Sequence, residues 1–260
     1  MDSMTPHDHY IRQVMPGLDS CPLQRYPAIS LLPRADNRPL GDCALLMLVG
    51  LTGCGKSTTL AQLDGGGMPS RREVADCIAI PYAQALAGEA LLPVQDRARR
   101  FKYTRRFAQA VPGGMAAAFS WLWLHNDAQK PLLTEGIRGD AELHFALGCF
   151  PRWRVVELAL PPLHRLRRLS GRQDEFDQVE EAADLRFLPR ELRDEARTLL
   201  VRGEINQRAL AIVRAEAQNY GLNPFAAGQD YSNYQRLDVA RMTPKAVTEA
   251  VRDLLALPCP

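Results

Sequence analysis

Eight consecutive residues carry the clearest chemical signal in the chain: Gly50, Leu51, Thr52, Gly53, Cys54, Gly55, Lys56 and Ser57. They complete the pattern G-x-x-x-x-G-K-[ST], and each residue type has a physical use in it. Gly50, Gly53 and Gly55 permit φ > 0 and a close backbone approach to an anion. A loop built this way turns its N–H groups inward as an anion-binding nest. A helix starting near Lys56 aims the positive end of its dipole at the same point. Lys56 can then reach the β- and γ-phosphates, and the Ser57 hydroxyl can ligate Mg²⁺. Cys54 and Thr58 complete the predicted phosphate-binding set. The pattern predicts a nucleoside triphosphate as ligand, ATP with Mg²⁺. Kinases, ATPases, GTPases and switches all use such a loop, so it does not choose the reaction.

The elements that must hold this loop follow from the patterning around it. Residues 44–49 (ALLMLV) form a short apolar run without polar alternation, as expected of a strand buried on both faces. Residues 57–63 read as the helix after the loop, stopped by Gly65, Gly66 and Gly67. Residues 76–80 read as a second strand closed by Pro81, residues 132–135 as a third, 154–160 as a fourth and 237–239 as a fifth. Pro112, Gly113 and Gly114 open a helix that runs to about His125. Residues 164–219 read as helical throughout, and Thr243 with Pro244 supplies an N-cap and a first-turn proline for a last helix ending near Leu255. Strands alternating with helices imply an α/β fold whose parallel sheet is covered on both faces.

Residues 1–43 differ from the rest. They hold Pro16, Pro22, Pro27, Pro33 and Pro39 without a sustained period, which predicts an arm lying on the body or partly disordered. The remaining residues, 44–260, read as one domain. The formal net charge of +2 gives no ground for bulk polyanion binding. The longest nearly apolar stretch, residues 115–124, is too short to span a bilayer. The first ten residues lack the basic and apolar regions of a secretory signal. Six cysteines without a CxxC pair read as reduced thiols, and with the missing signal they predict a cytoplasmic protein.

With the loop, three looser features resemble the P-loop kinases, the superfamily that includes nucleoside monophosphate kinases, gluconate kinase-like enzymes and polynucleotide kinases. One is Leu132-Leu133-Thr134-Glu135-Gly136, at a strand end where such kinases carry a Walker B carboxylate, here Glu in place of the commoner Asp. Another is the strand 155–160 followed by Pro161-Pro162-Leu163-His164-Arg165-Leu166-Arg167-Arg168-Leu169-Ser170-Gly171-Arg172, similar to the segment leading into their lid. The last is Leu237-Asp238-Val239 with Thr243-Pro244-Lys245-Ala246-Val247, similar to their terminal strand and helix. The resemblance covers residues 41–257. It implies a P-loop NTPase three-layer sandwich, a five-stranded parallel sheet of order 2-3-1-4-5, and a mobile helical lid over residues 171–214.

The resemblance also suggests roles. Glu135 holds the Mg²⁺ water shell or orients the acceptor, or is an ordinary strand-end carboxylate. Arg168 and Arg172, at i and i+4, share one helical face and can neutralise charge on the transferred phosphoryl; Arg165 and Arg167 read as solvated. Asp76 is either the base for an acceptor hydroxyl or a strand-start residue with a structural hydrogen bond. Arg71 and Arg72 precede it, and residues 97–106 interleave basic and aromatic side chains where the acceptor docks in the resembled kinases. Arg99, Arg100 and Arg105 in that run, with Arg138, complete the expected acceptor-binding set. The reading is a phosphotransferase moving the γ-phosphoryl of ATP·Mg to a hydroxyl or phosphate acceptor, small molecule or polynucleotide. Its rival is a regulatory ATPase that binds nucleic acid or a protein. No NKxD supports a GTPase, and residues 132–135 lack the paired acids of a mechanical ATPase.

Overall fold

The computed structural model describes residues 4–18, 21–63, 66–125, 132–171, 184–221 and 224–256. The amino-terminal segment is built into the body, not laid over it. Thr5 caps α1 (Pro6–His9), its hydroxyl accepting the Asp8 N–H at 3.1 Å. Tyr10 and Val14 are fully buried, and the Tyr10 hydroxyl donates to the Cys77 carbonyl at 2.7 Å. Leu23, Ile29 and Leu40 are buried in the same core. The short strands β1 (Ile29–Ser30) and β2 (Asn37–Pro39) belong to a small antiparallel sheet described below. These apolar residues are spaced without a period, so the segment buries a face that no pattern announces.

The chain then enters β3 (Leu45–Val49), the loop, and α2 (Lys56–Gln62), followed by the two-residue β4 (Gly66–Gly67). The second strand expected at residues 76–80 is absent. Ser70 caps α3 (Arg71–Val74) in a capping box with Glu73. A π-helical turn, Ala75–Ala79, carries the chain into α4 (Ile80–Leu86), with Pro81 in its first turn. A short buried apolar run cannot be told from a buried helix by periodicity, and here the capping box decides. Next come α5 (Arg97–Ala110), α6 (Gly114–Ser120) and β5 (Trp123–His125). The helix expected to reach His125 thus stops at Ser120, and β5 pairs antiparallel with both β1 and β2.

The second half runs β6 (Leu132–Glu135), α7 (Asp140–Cys149), β7 (Trp153–Ala159), α8 (Pro162–Ser170), α9 (Arg190–Val201), α10 (Gln207–Tyr220), β8 (Tyr234–Asp238) and α11 (Pro244–Ala256). Four strands form a parallel sheet in the order β6-β3-β7-β8, and β4 pairs along the outer edge of β6. Side chains alternate across it. Leu45, Met47 and Val49 pack with the amino-terminal segment and α6, whereas Leu46 and Leu48 pack with Val247 and Val251 of α11. Coverage on both faces is why β3 reads as an unbroken apolar run. The α/β class and the parallel sheet are therefore as the alternation predicts.

Residues 164–219 are not one helical stretch. Leu163, Leu166 and Leu169 of α8, Leu199 of α9, and Leu210 and Val213 of α10 form an apolar cluster of their own. Much of the lid expected at residues 171–214 falls in this unit; residues 172–183 lie outside the described residues. The reading of six reduced thiols is also corrected: Cys21 and Cys77 form a disulfide that ties the amino-terminal segment to the turn before α4. Among the described residues no helix is long and apolar enough to cross a membrane.

Candidate functional site

The loop leaves β3 at its carboxyl end and turns on glycines in the left-handed region, with φ of 141° at Gly50, 93° at Gly53 and 103° at Gly55. A Cβ at Gly50 would stand 2.6 Å from the Cys54 Sγ and 2.8 Å from the Leu158 carbonyl oxygen, so sterics and φ both demand glycine there. At Gly55 an added Cβ would meet nothing within 4 Å, so its φ alone calls for glycine. No side chain caps the first turn of α2. Cys54 is buried, and Ser57 and Thr58 are exposed on that turn.

Lys56 folds back over the loop. Its Nζ donates to the carbonyl of Gly50 at 2.8 Å and of Leu51 at 3.3 Å, and stands 3.9 Å from a Glu135 carboxylate oxygen. Glu135 ends β6, the strand beside β3. Parallel pairing thus brings the loop lysine and the strand-end acid together, as expected for a crevice at the carboxyl ends of such strands.

Sequence reading missed a brace behind the loop. The Glu216 carboxylate, on α10, accepts the Thr52 N–H at 3.1 and 3.2 Å and also the Thr52 hydroxyl. Arg165, on α8, donates through Nε to the Thr52 carbonyl at 3.1 Å and through Nη2 to Glu216. Arg165 is only 2% exposed, and Glu216 is buried too. Burial lowers the arginine's pKa against the opposing pull of Glu216. Arg165, read as solvated, is thus the most committed cation of its segment. Its spacing with Leu163, Leu166 and Leu169 on the buried side of α8 was the available signal. Glu216 carried none.

Glu135 also lines a cavity of 380 Å³ together with Ser70, Arg71, Arg72, Arg100, Phe101 and Arg138. The structure thus brings four of the six predicted acceptor-binding arginines to one place. Their freedom differs. Arg71 forms a two-pronged pair with Glu142 at 2.6 and 3.0 Å and donates to the Gly136 carbonyl. Glu142 accepts in addition from the N–H groups of Met115 at 3.2 Å and Arg138 at 2.6 Å. This buried acid, also missed, fastens α3, α6 and the turn after β6 around Arg71. Arg100 pairs with Asp76 and donates to the Val94 carbonyl at 2.9 Å. The half-buried Arg138 guanidinium has no hydrogen bond or ion pair among the described residues.

Three predicted residues fall elsewhere. Asp76, on the π-helical turn and not at a strand start, spends a carboxylate oxygen on Arg100. It lines a neighbouring cavity of 420 Å³ with Ile80, Leu91 and Pro93, which adjoins the one holding Glu135 through Arg72, Gln95 and Arg100. Arg99 is exposed, 3.4 Å from the Tyr103 hydroxyl, and lines neither cavity. Arg168 donates to the Val239 carbonyl at 3.1 Å, at the end of β8. Arg172 lies outside the described residues. The amino-terminal segment reaches α3 as well: the Tyr26 hydroxyl donates to Glu73 at 2.8 and 2.9 Å, and Arg25 pairs with the same carboxylate. No family model and no curated protein matches the chain.

Proposed function

We propose that the chain is a P-loop kinase-like phosphotransferase, with ATP·Mg on the loop of residues 50–57 and the phosphoryl acceptor in the cavity beside it. The observation that carries this reading is Glu135. It stands 3.9 Å from Lys56 and lines the arginine-walled cavity, so one carboxylate joins a phosphate-binding loop to a place for a second substrate. Further support comes from the strand order, which with β4 counted as the second strand is the 2-3-1-4-5 that the resemblance implies.

In this reading Lys56 exchanges its loop carbonyls for the β- and γ-phosphate oxygens, and the loop N–H groups hold the same phosphates. The Ser57 hydroxyl is an oxygen donor of the kind Mg²⁺ takes, and Glu135 would face the acceptor and touch the ion at most through its water shell. No cluster of three or more His, Cys, Asp or Glu exists among the described residues. Mg²⁺ would supply charge neutralisation on the phosphates. The acceptor hydroxyl gives its proton to Glu135 as its oxygen bonds the γ-phosphorus, the bond to the bridging oxygen breaks, and ADP leaves. Arg138, the uncommitted cation, neutralises charge on the transferring group or the acceptor. Catalysis rests on positioning and electrostatics.

The test is transfer of label from γ-labelled ATP to nucleosides, nucleotides, sugars and 5′-hydroxyl oligonucleotides offered in parallel. Labelling of one acceptor class, lost in Lys56→Ala, is the expected result. Release of labelled phosphate with no acceptor labelled would replace the kinase reading by the regulatory ATPase.

A further inference from the structure

The cavity holding Glu135 does not end at Arg138. Arg71, Phe101, Thr104 and Arg138 line it and also line a second, larger cavity of 710 Å³, so the two form one groove. Its outer part runs between α5 on one side and α7 and α10 on the other, with Lys102, Arg105 and Arg106 from α5 and Asn219 and Tyr220 from α10. On α5, Phe101, Thr104, Arg105 and Ala108 follow the i, i+3, i+4, i+7 spacing of a single helical face, which is why one helix lines the groove along its length.

The charge along this groove is lopsided. Among the described residues Glu142 is the one carboxylate lining the outer part, and it is already engaged by Arg71. Lys102 is exposed and, like the Arg138 guanidinium, has no hydrogen bond or ion pair among the described residues. Arg105 is exposed and, among the described residues, its side chain donates to the neutral Asn219 amide, at 2.8 Å. A chain with a formal net charge of only +2 has gathered uncompensated cations in one concave strip. Such a strip concentrates anions. Aromatic rings stand at the junction, Phe101, and on the outer wall, Tyr220. Cations tracking a backbone, with aromatic faces at intervals, are the physical requirements for holding a phosphodiester chain with unpaired bases. A small acceptor would need only the 380 Å³ around Glu135.

We infer that the acceptor is a single-stranded nucleic acid, its hydroxyl-bearing end at Glu135 and its following phosphates along Arg138, Arg105 and Lys102. This rests on the phosphotransferase reading for the reacting end but on separate residues for the chain beyond it. Both Lys102 and Arg105 are exposed, so their replacement leaves the core untouched.

The test uses the full chain and a fluorescent deoxythymidine dodecamer with a free 5′ hydroxyl, followed by anisotropy over a range of NaCl concentrations. ATP affinity is measured by calorimetry on the same samples. The wild type should bind the dodecamer with a steep salt dependence and label it from γ-labelled ATP. Lys102→Gln/Arg105→Gln should weaken binding about tenfold or more and lower the salt slope by about 1.4, at roughly 0.7 per phosphate contact on a single strand. ATP affinity should stay the same. If ATP binds and a mononucleotide is phosphorylated but the dodecamer is not held, the nucleic-acid inference is overturned while the kinase reading stands. Equal dodecamer binding by wild type and double variant, or equal binding of the matching duplex, overturns it too. Dodecamer binding with the expected slope but without ATP binding or transfer upholds the groove and removes the phosphotransferase.

Discussion

The loop at residues 50–57 and the groove along α5 handle charge in opposite ways. In the loop, eight neighbouring residues hold the feature together: three glycines turn the backbone through the left-handed region, and Lys56 folds back on the loop's own carbonyls. In the groove, the cations come from α3, α5 and the turn after β6, and folding has already paired two of them, Arg71 with Glu142 and Arg100 with Asp76. A site made of contiguous residues declares its chemistry in its spelling. A site assembled from distant ones declares it only once the paired cations are separated from the rest; among the described residues Lys102 and Arg138 then have no side-chain partner, and Arg105 and Arg106 have only neutral acceptors. The brace of Arg165 and Glu216 on Thr52 is where the two kinds of construction meet, since α10 carries Glu216 at the loop and Asn219 at the groove within one helical turn.

The hardest test of the loop's self-sufficiency is Lys56→Ala. If the proposed function holds, ATP turnover should fall by at least about 10²–10³-fold, because the lysine proposed to reach the phosphates is lost. The melting temperature should hardly move, since Lys56 bonds to loop carbonyls and one sulfur and its ion pair with Glu135 is long, at 3.9 Å. Turnover within tenfold of wild type would remove the loop from the active site.

Arg165→Ala asks whether the loop also depends on the assembled side. The change strands Glu216 as a buried charge and frees the Thr52 carbonyl. Removing one partner of a buried pair costs about 3–5 kcal/mol, which urea unfolding would register. A loss below about 1 kcal/mol would mean that the brace relaxes into water and that the loop stands alone.

A smaller effect concerns the platform under the loop. Glu157 pairs in register with Val49, the residue before Gly50, and accepts the Tyr234 hydroxyl. Burial raises its carboxyl above the ordinary value of 4.5, against the opposing pull of Tyr234 and Arg236. Because its folded pKa lies above its unfolded one, the unfolded chain releases this proton first. Stability is therefore lost as pH rises from the ordinary value through the raised one, and the cost is complete above it. Glu157→Gln removes that cost and keeps an acceptor for Tyr234. In thermal melts between pH 4 and 8, its advantage over wild type should be near zero at the acid end and grow with pH. Each kcal/mol corresponds to about 2–4 °C at this size. A difference independent of pH would place the carboxyl in water.

How far the sequence could be read divides along the same line. The unbroken apolar run of β3, the glycines after it and the helix at Lys56 are local, and they were legible. So were β6, β7 and the Thr243 cap of α11, whose hydroxyl accepts the Ala246 N–H at 3.2 Å. Residues 76–80 were misread because a buried helix and a buried strand spell alike over five residues. The amino-terminal segment was misread because its buried anchors, Tyr10, Val14, Leu23 and Leu40, follow no period. Among the site residues, Glu135 declared itself by ending a strand. Arg165 and Glu216 could not, since a buried charge pair between α8 and α10 is a fact of packing.

Whether loop and cavity are one site joined at Glu135 is decided by Glu135→Gln. The substitution keeps the shape of the strand end and removes the charge. Wild type and variant are compared for ATP affinity by calorimetry and for kcat in the transfer assay. If they are one site, ATP affinity stays within about tenfold of wild type and kcat falls by about 10²–10⁴-fold, the usual contribution of a positioned base. An unchanged kcat would contradict it, leaving the loop and the cavity as neighbours with separate work.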